Sequence, residues 1–125
     1  MSPETPESSS SRREWREFLE LVSKEHEGDE VTIEVASMEF GDNLQAERLP
    51  LAYVAYDNKD DVAIVAVGGR DGRFPVVLRH MIERPRSITV DPATPDAARA
   101  IDIVGADGSH TYVTLHRVSV PPARD

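Results

Sequence analysis

The spacing of apolar residues changes its period near Gly28, and that change divides the chain. Ahead of it, Trp15, Phe18, Leu19 and Val22 recur at i, i+3, i+4 and i+7, one stripe of an α-helix. Leu21 lies at the edge of the stripe, while Arg16, Glu17, Glu20, Lys24 and Glu25 take the polar faces. The pattern predicts a helix from Ser11 to Glu27. Ser11 and Glu14 have capping-box spacing, and Gly28 supplies the stop. A helix this short is marginal in isolation, so its stripe should dock on whatever follows.

After Gly28 the period becomes two. Val31, Ile33 and Val35 alternate with Thr32, Glu34 and Ala36, as in a strand with one buried face. Gly41–Asn43 reads as a turn, and Leu44–Arg48 as a short strand that Pro50 interrupts. Residues 51–56 and 62–67 flank the polar loop Asp57–Asp61, the pattern of a hairpin. Val62–Val67 is apolar on both faces, which reads as a central strand with the helix covering its second face. Beyond the Gly68–Gly72 turn, Phe74, Val76 and Leu78 alternate towards His80, and the chain changes direction around Pro85. Ile88 and Val90 mark another short strand, and Pro92–Ala98 a loop or single helical turn. Arg99–Val104 and His110–Val118 form a second hairpin around Gly105–Gly108, with Ile101 and Ile103 facing Val113 and Leu115.

These elements predict an α+β, mainly β fold. Its N-terminal amphipathic helix packs on a strongly curved antiparallel sheet or small β-barrel of six to seven short strands, with an open sheet as the close alternative. Residues 1–10 read as a disordered tail, 11–118 as a single helix-plus-β domain, and 119–125 as a flexible C-terminal tail. A chain of 125 residues suffices for one core, and with aromatics at 6% that core must be aliphatic. Val62–Val67 is too short to span a bilayer, and Met1–Glu7 has neither the basic nor the apolar region of a signal peptide. There is no cysteine, hence no disulfide, thiolate ligand or thiol nucleophile, which fits a cytoplasmic location.

The net charge of −9 argues against nucleic acid and anionic membrane as partners. One stretch runs the other way: Arg70, Arg73, Arg79, Arg84 and Arg86 stand against only Asp71 and Glu83. If the turn and the bend share a rim, these guanidiniums with His80 form a candidate binding site for carboxylate or phosphate. The plain alternative is salt bridging to the acidic segment 31–69.

Other groups yield less. His26 at the helix end suits a surface role against the helix dipole. His110 and His116 lie six apart on one strand, roughly 20 Å, too far to share a metal ion. Asp57–Asp61 holds three carboxylates but lacks the glycine and distal glutamate of a calcium loop. Gly68–Gly72 fits neither phosphate-binding glycine signature, and Asp107-Gly108-Ser109-His110 has triad residue types without triad geometry. No metal or cofactor is expected.

Many short segments together resemble an uncharacterised bacterial family, a domain of unknown function. They are Glu14-Trp15 to Phe18, His26-Glu27-Gly28, Val31–Val35, Leu49-Pro50-Leu51 and Tyr56-Asp57-x-Lys59-Asp60-Asp61. Ala66–Gly69, Leu78-Arg79-His80-x-Ile82 with Pro85, and Ala106-Asp107-Gly108 match too, so the resemblance spans roughly residues 11–118. Asn58 stands where that family pattern has proline. The resemblance implies a small free-standing bacterial protein and no activity.

The leading expectation is a non-enzymatic binding or regulatory module that meets a protein or anionic small ligand through Arg70–Arg86. A second is an enzyme pairing His80 with Asp60 or Asp61 as acid and base. A third is a homodimer, rather than a monomer, joined along an uncovered strand edge near Pro50.

Overall fold

The structure, a computed structural model, describes residues 9–68 and 76–117. Helix α1 spans Ser9–Glu25, so Ser11 lies inside the helix rather than at its cap. Gly28 ends the turn after it at φ 89°, a conformation that glycine adopts without strain. The strands are β1 (Glu30–Ser37), β2 (Gly41–Asp57), β3 (Val62–Gly68), β4 (Val76–Glu83), β5 (Ser87–Asp91), β6 (Ala100–Val104) and β7 (His110–His116). A one-turn 3₁₀ helix, Pro95–Ala97, joins β5 to β6. They form one antiparallel sheet in the order β4-β3-β2-β1-β7-β6-β5.

β2 continues through Pro50, which the sequence pattern marks as an interruption. Its first part, to Pro50, pairs with β1, and its second, from Leu51, pairs with β3. Pro50 sits at the handover, where its missing N–H is least costly. Two register shifts against β1 and a φ of 51° at Arg48 bend the strand there. The bend folds β2-β3-β4 over the rest, so that His80 on β4 reaches Thr111 on β7.

The edge strands β4 and β5 are consecutive in the chain, yet they do not pair, so the sheet is not closed and the barrel form is not adopted. The link between them explains why. Arg84 turns at φ 46° and donates its N–H to the Asp61 carbonyl at 2.7 Å. Arg86 donates its own to the Val104 carbonyl at 2.6 Å. The two ends of the link are thus tied to opposite halves of the fold, and the strands splay from it.

Between the halves lies the core. Tyr56, Ala63 and Ile82 stand in register across β2, β3 and β4, followed by Val54, Val65 and His80. Ile33, Val113, Ile101 and Val90 form a row across the other half. Burial of Ile101, Ile103, Val113 and Leu115 bears out their expected inward direction. From α1, Trp15, Leu19 and Val22 enter the same core. Trp15 meets Tyr56 edge to face at 5.2 Å between ring centroids. Full burial of Leu19 and of Val22 contributes about 1.5–3 kcal/mol each before ordering entropy.

The helix is laid along β2 by Ser23, whose Oγ donates to the Val54 carbonyl at 2.7 Å and accepts from the Val54 N–H at 2.9 Å. It therefore does not cover the second face of β3, as the apolar run had suggested. On that face, Ala66 is flanked in register by Tyr53 and Arg79, whose Oη and Nε are 3.1 Å apart. A small side chain beneath a bridging pair needs no helix.

His26 is a second departure. It is 1% exposed rather than superficial. Its Nδ1 lies 2.9 Å from the Asp29 carboxylate, and its Nε2 donates to the Pro95 carbonyl at 2.9 Å. The ring thus ties the end of α1 to the start of β1 and to the 3₁₀ turn. At the other end of α1, Arg12 donates through Nη1 to Asp61 at 2.9 Å, to the Tyr56 hydroxyl at 3.3 Å and to the Pro85 carbonyl at 3.3 Å.

Candidate functional site

The arginines expected to act together are divided by the fold. Arg70 and Arg73 lie outside the described residues. Arg79 and His80 are neighbours on β4 and so point to opposite faces. Arg79 is outside with Tyr53, and His80 is inside with Thr111. Strand alternation alone carried that signal, and the grouping of the two overlooked it. Arg84 and Arg86 follow at the end of β4. Among the described residues, none of Arg79, Arg84 and Arg86 forms an ion pair, so their expected bridging to the acidic segment does not occur there.

His80 and Arg84 share a groove of about 400 Å³. One wall is the end of β4, from His80 to Arg84, and the other is the β6–β7 turn with the start of β7. Val35, paired with Thr111 across β1 and β7, completes the lining. The walls meet at one end, where the Ala106 N–H donates to the Glu83 carbonyl at 3.4 Å. There Gly105 matters: a Cβ on it would lie 3.1 Å from Ile82 Cγ2, so a side chain would press the walls apart.

The groove's polar groups have distinct settings. His80 is half-buried, and desolvation lowers its pKa, which keeps the ring neutral near pH 7. Its Nε2 lies 3.3 Å from Oγ1 of Thr111, itself 2% exposed. Asp107 accepts from the Ser109 N–H at 2.9 Å, and this bond, aided by the nearby Arg86 charge, holds its carboxyl below the usual range. Arg86 is committed to the turn, donating through Nη2 to the Ala106 carbonyl at 2.8 Å. Arg84 differs: it lines the groove beside the Ala106–Glu83 contact, and its guanidinium has no partner among the described residues.

The acid–base pairing of His80 with Asp60 or Asp61 does not form. Asp61 is held by Arg12 and by the Tyr56 hydroxyl, which donates to it at 2.6 Å. Burial and that hydrogen bond push the Tyr56 pKa up, so the phenol stays protonated. In the same loop Asp57 accepts from the N–H of Lys59 at 2.9 Å, a turn contact rather than an ion site. His110 pairs with Asp102 at 2.9 Å and His116 with Thr32 at 2.9 Å, so neither joins Ser109 in a triad. Among the described residues, no three of His, Asp and Glu converge to hold a metal.

Two further features escaped sequence reasoning. The β1–β2 turn exposes Met38 and Phe40, with Leu44 exposed nearby on β2. The segment at Pro50, expected to be the least protected edge, is instead covered just beyond, where the Leu51 N–H donates to the Asp29 carbonyl at 2.8 Å. No helix among the described residues is long and apolar enough to cross a membrane.

Comparison with known proteins gives two findings. The profile of a family of unknown function, DUF5335, matches residues 7–124. The chain is also similar to a protein of Aquifex aeolicus (strain VF5) named only as an uncharacterized protein, with 27% identity over 110 residues, covering 88% of this chain and 91% of that one. No solved structure matches significantly.

Proposed function

We propose that this chain, which belongs to the DUF5335 family of unknown function, is a cytoplasmic, non-enzymatic binding module whose working surface is the groove between β4 and the β6–β7 turn. The observation that carries the reading is the guanidinium of Arg84, which lines that groove and has no partner among the described residues. A cation with no partner among the described residues, in a protein of net charge −9, is available to an acidic group on a partner. His80 and Thr111 offer hydrogen bonding farther along the groove, and Arg86 keeps the turn in place. Arg79, on the opposite face, falls outside the site.

Affinity capture from native lysate tests this with three baits: the wild type, Arg84→Glu, and Ser109→Trp, which fills the groove. Proteins retained by the wild type should be lost from both variants at unchanged thermal stability. Retention of the same proteins by all three baits refutes the assignment.

A further inference from the structure

We propose that the occupant of the groove is an extended peptide segment of a partner protein, which adds as an eighth strand antiparallel to the open edge of β4 and places an acidic side chain on Arg84. The inference rests on the groove being the binding surface and adds what binds there.

Hydrogen-bond parity along β4 carries the argument. In an antiparallel ladder, alternate residues direct both backbone groups to one neighbour and the intervening residues direct theirs to the other side. The Arg84 N–H goes to Asp61, on the β3 side. The Glu83 carbonyl points the other way, to Ala106. Counting back by two, Met81 and Arg79 also present their N–H and C=O groups away from β3, while His80 and Ile82 are turned towards it. Among the described residues nothing hydrogen-bonds to the outward backbone groups of Met81 or Arg79. Two consecutive docking positions for a strand therefore stand open, and the Met81 position lies in the wall of the groove.

The edge is attractive in other respects. β4 pairs with β3 in regular register from Leu78 to Glu83, has no proline within it, and exposes Val77 and Met81. Strands of this kind recruit a further strand unless something covers them. A second copy of this chain fits poorly, because its β4 would bring its own β3 against the β6–β7 turn across the groove. A single extended segment that begins beside Met81 stops short of the Ala106–Glu83 contact and leaves only its first side chain to reach Arg84. The groove's volume of about 400 Å³ lies within the range of sites that take one small ligand.

Antiparallel addition fixes the chemistry of the peptide. Its residue opposite Met81 faces outward with the Met81 side chain. The residues on either side turn inward towards Thr111 and Val35, which favours β-branched side chains with a hydroxyl or methyl group. Running against β4, its amino-terminal end lies nearest Arg84, so the aspartate or glutamate belongs there.

A displayed random heptapeptide library panned on the full chain supplies the probe. The strongest selected peptide is then synthesised with and without a single backbone N-methyl group at each position. Selected peptides should alternate in polarity and carry an acidic residue near the amino end. Met81→Pro removes an outward N–H and no bond to β3, and should weaken binding about tenfold or more. N-methylation at the residue opposite Met81 should do the same without altering the protein, so the test survives if Met81→Pro fails to fold. Arg84→Ala should weaken the acidic peptides selectively. If no peptide prefers the wild type to Met81→Pro, or if every N-methylated analogue binds as well as its parent, strand addition is overturned. A peptide indifferent to Met81→Pro but lost on Ser109→Trp overturns strand addition alone and leaves the groove as the site. One indifferent to both overturns the two readings together.

Discussion

His26→Ala separates two accounts of the same residue by a measurable margin. A histidine on the surface at a helix C-terminus contributes about 0.3–1 kcal/mol through the helix dipole. The buried His26 instead makes two hydrogen bonds, one to the Asp29 carboxylate and one to the Pro95 carbonyl, each at 2.9 Å. A neutral hydrogen bond contributes about 0.5–1.5 kcal/mol and one to a charged group about 1.5–3 kcal/mol. Removing the ring also leaves a void and a carbonyl without its donor. The expected loss is about 3 kcal/mol, a large share of a typical total of about 5–15 kcal/mol. For a domain of this size that corresponds to a fall in Tm of about 10–15 °C. The single tryptophan, Trp15, is buried against Tyr56 and reports unfolding directly, so urea titration by fluorescence gives the number. His26→Gln, whose amide reaches one of the two acceptors, should recover part of the loss. A loss below about 1 kcal/mol for His26→Ala would refute the buried tie and restore the surface role.

Leu19→Ala should cost about 3 kcal/mol in the same titration, since Leu19 is fully buried between α1 and the sheet; a loss below about 1 kcal/mol would show the helix to be loosely docked. Gly28→Ala should cost about 1–2 kcal/mol from its φ of 89° alone, because a Cβ there meets nothing within 4 Å. Gly28→Asn should cost less, and equal costs would point to sterics instead. His80 gives a pH dependence of known sign. Burial lowers its pKa below the ordinary 6.5, so the unfolded chain takes up the proton first as the medium is acidified. Its contribution is complete above about pH 7.5 and declines as pH falls through 6.5 towards the folded value. Wild type should therefore lose more stability than His80→Gln between about pH 7.5 and pH 5.5, measured by urea unfolding; equal slopes would contradict the assignment.

Local pattern carried much of the fold. The Trp15, Leu19 and Val22 stripe, the stop at Gly28 and the inward direction of Ile101, Ile103, Val113 and Leu115 all depend on neighbours within one or two turns or one strand. The features that were not legible depend on distant chain. His26 is buried by Pro95, which is 69 positions away. Pro50 interrupts a strand only where a ladder needs its N–H, and which partner lies alongside is a long-range fact. Of the candidate site, Arg84 and His80 were legible as residue types, and their separation from Arg79 was implicit in strand alternation. The opposite wall was not, because Gly105–Gly108 signals a tight turn and nothing in a turn's sequence says what it will face.

The open sheet and the groove have one cause. A three-residue link brings β4 and β5 close together, yet its donors are tied to Asp61 on one side and Val104 on the other. The two edges leave that link already bonded to different halves of the fold, so they cannot ladder along their length. The β6–β7 turn fills only the near end of the gap, through Ala106 and the close approach of Gly105 to Ile82. Farther along, β4 keeps outward backbone groups at Met81 and Arg79 with nothing bound to them among the described residues. An edge of this kind is a hazard unless it is charged, bulged or covered. Part of β2 shows the protected state, with two register shifts along its pairing with β1, while β4 is regular from Leu78 to Glu83. The same fold therefore disrupts one strand and leaves another intact beside a walled groove lined by Arg84, whose guanidinium has no partner among the described residues, an asymmetry that fits the proposed pairing.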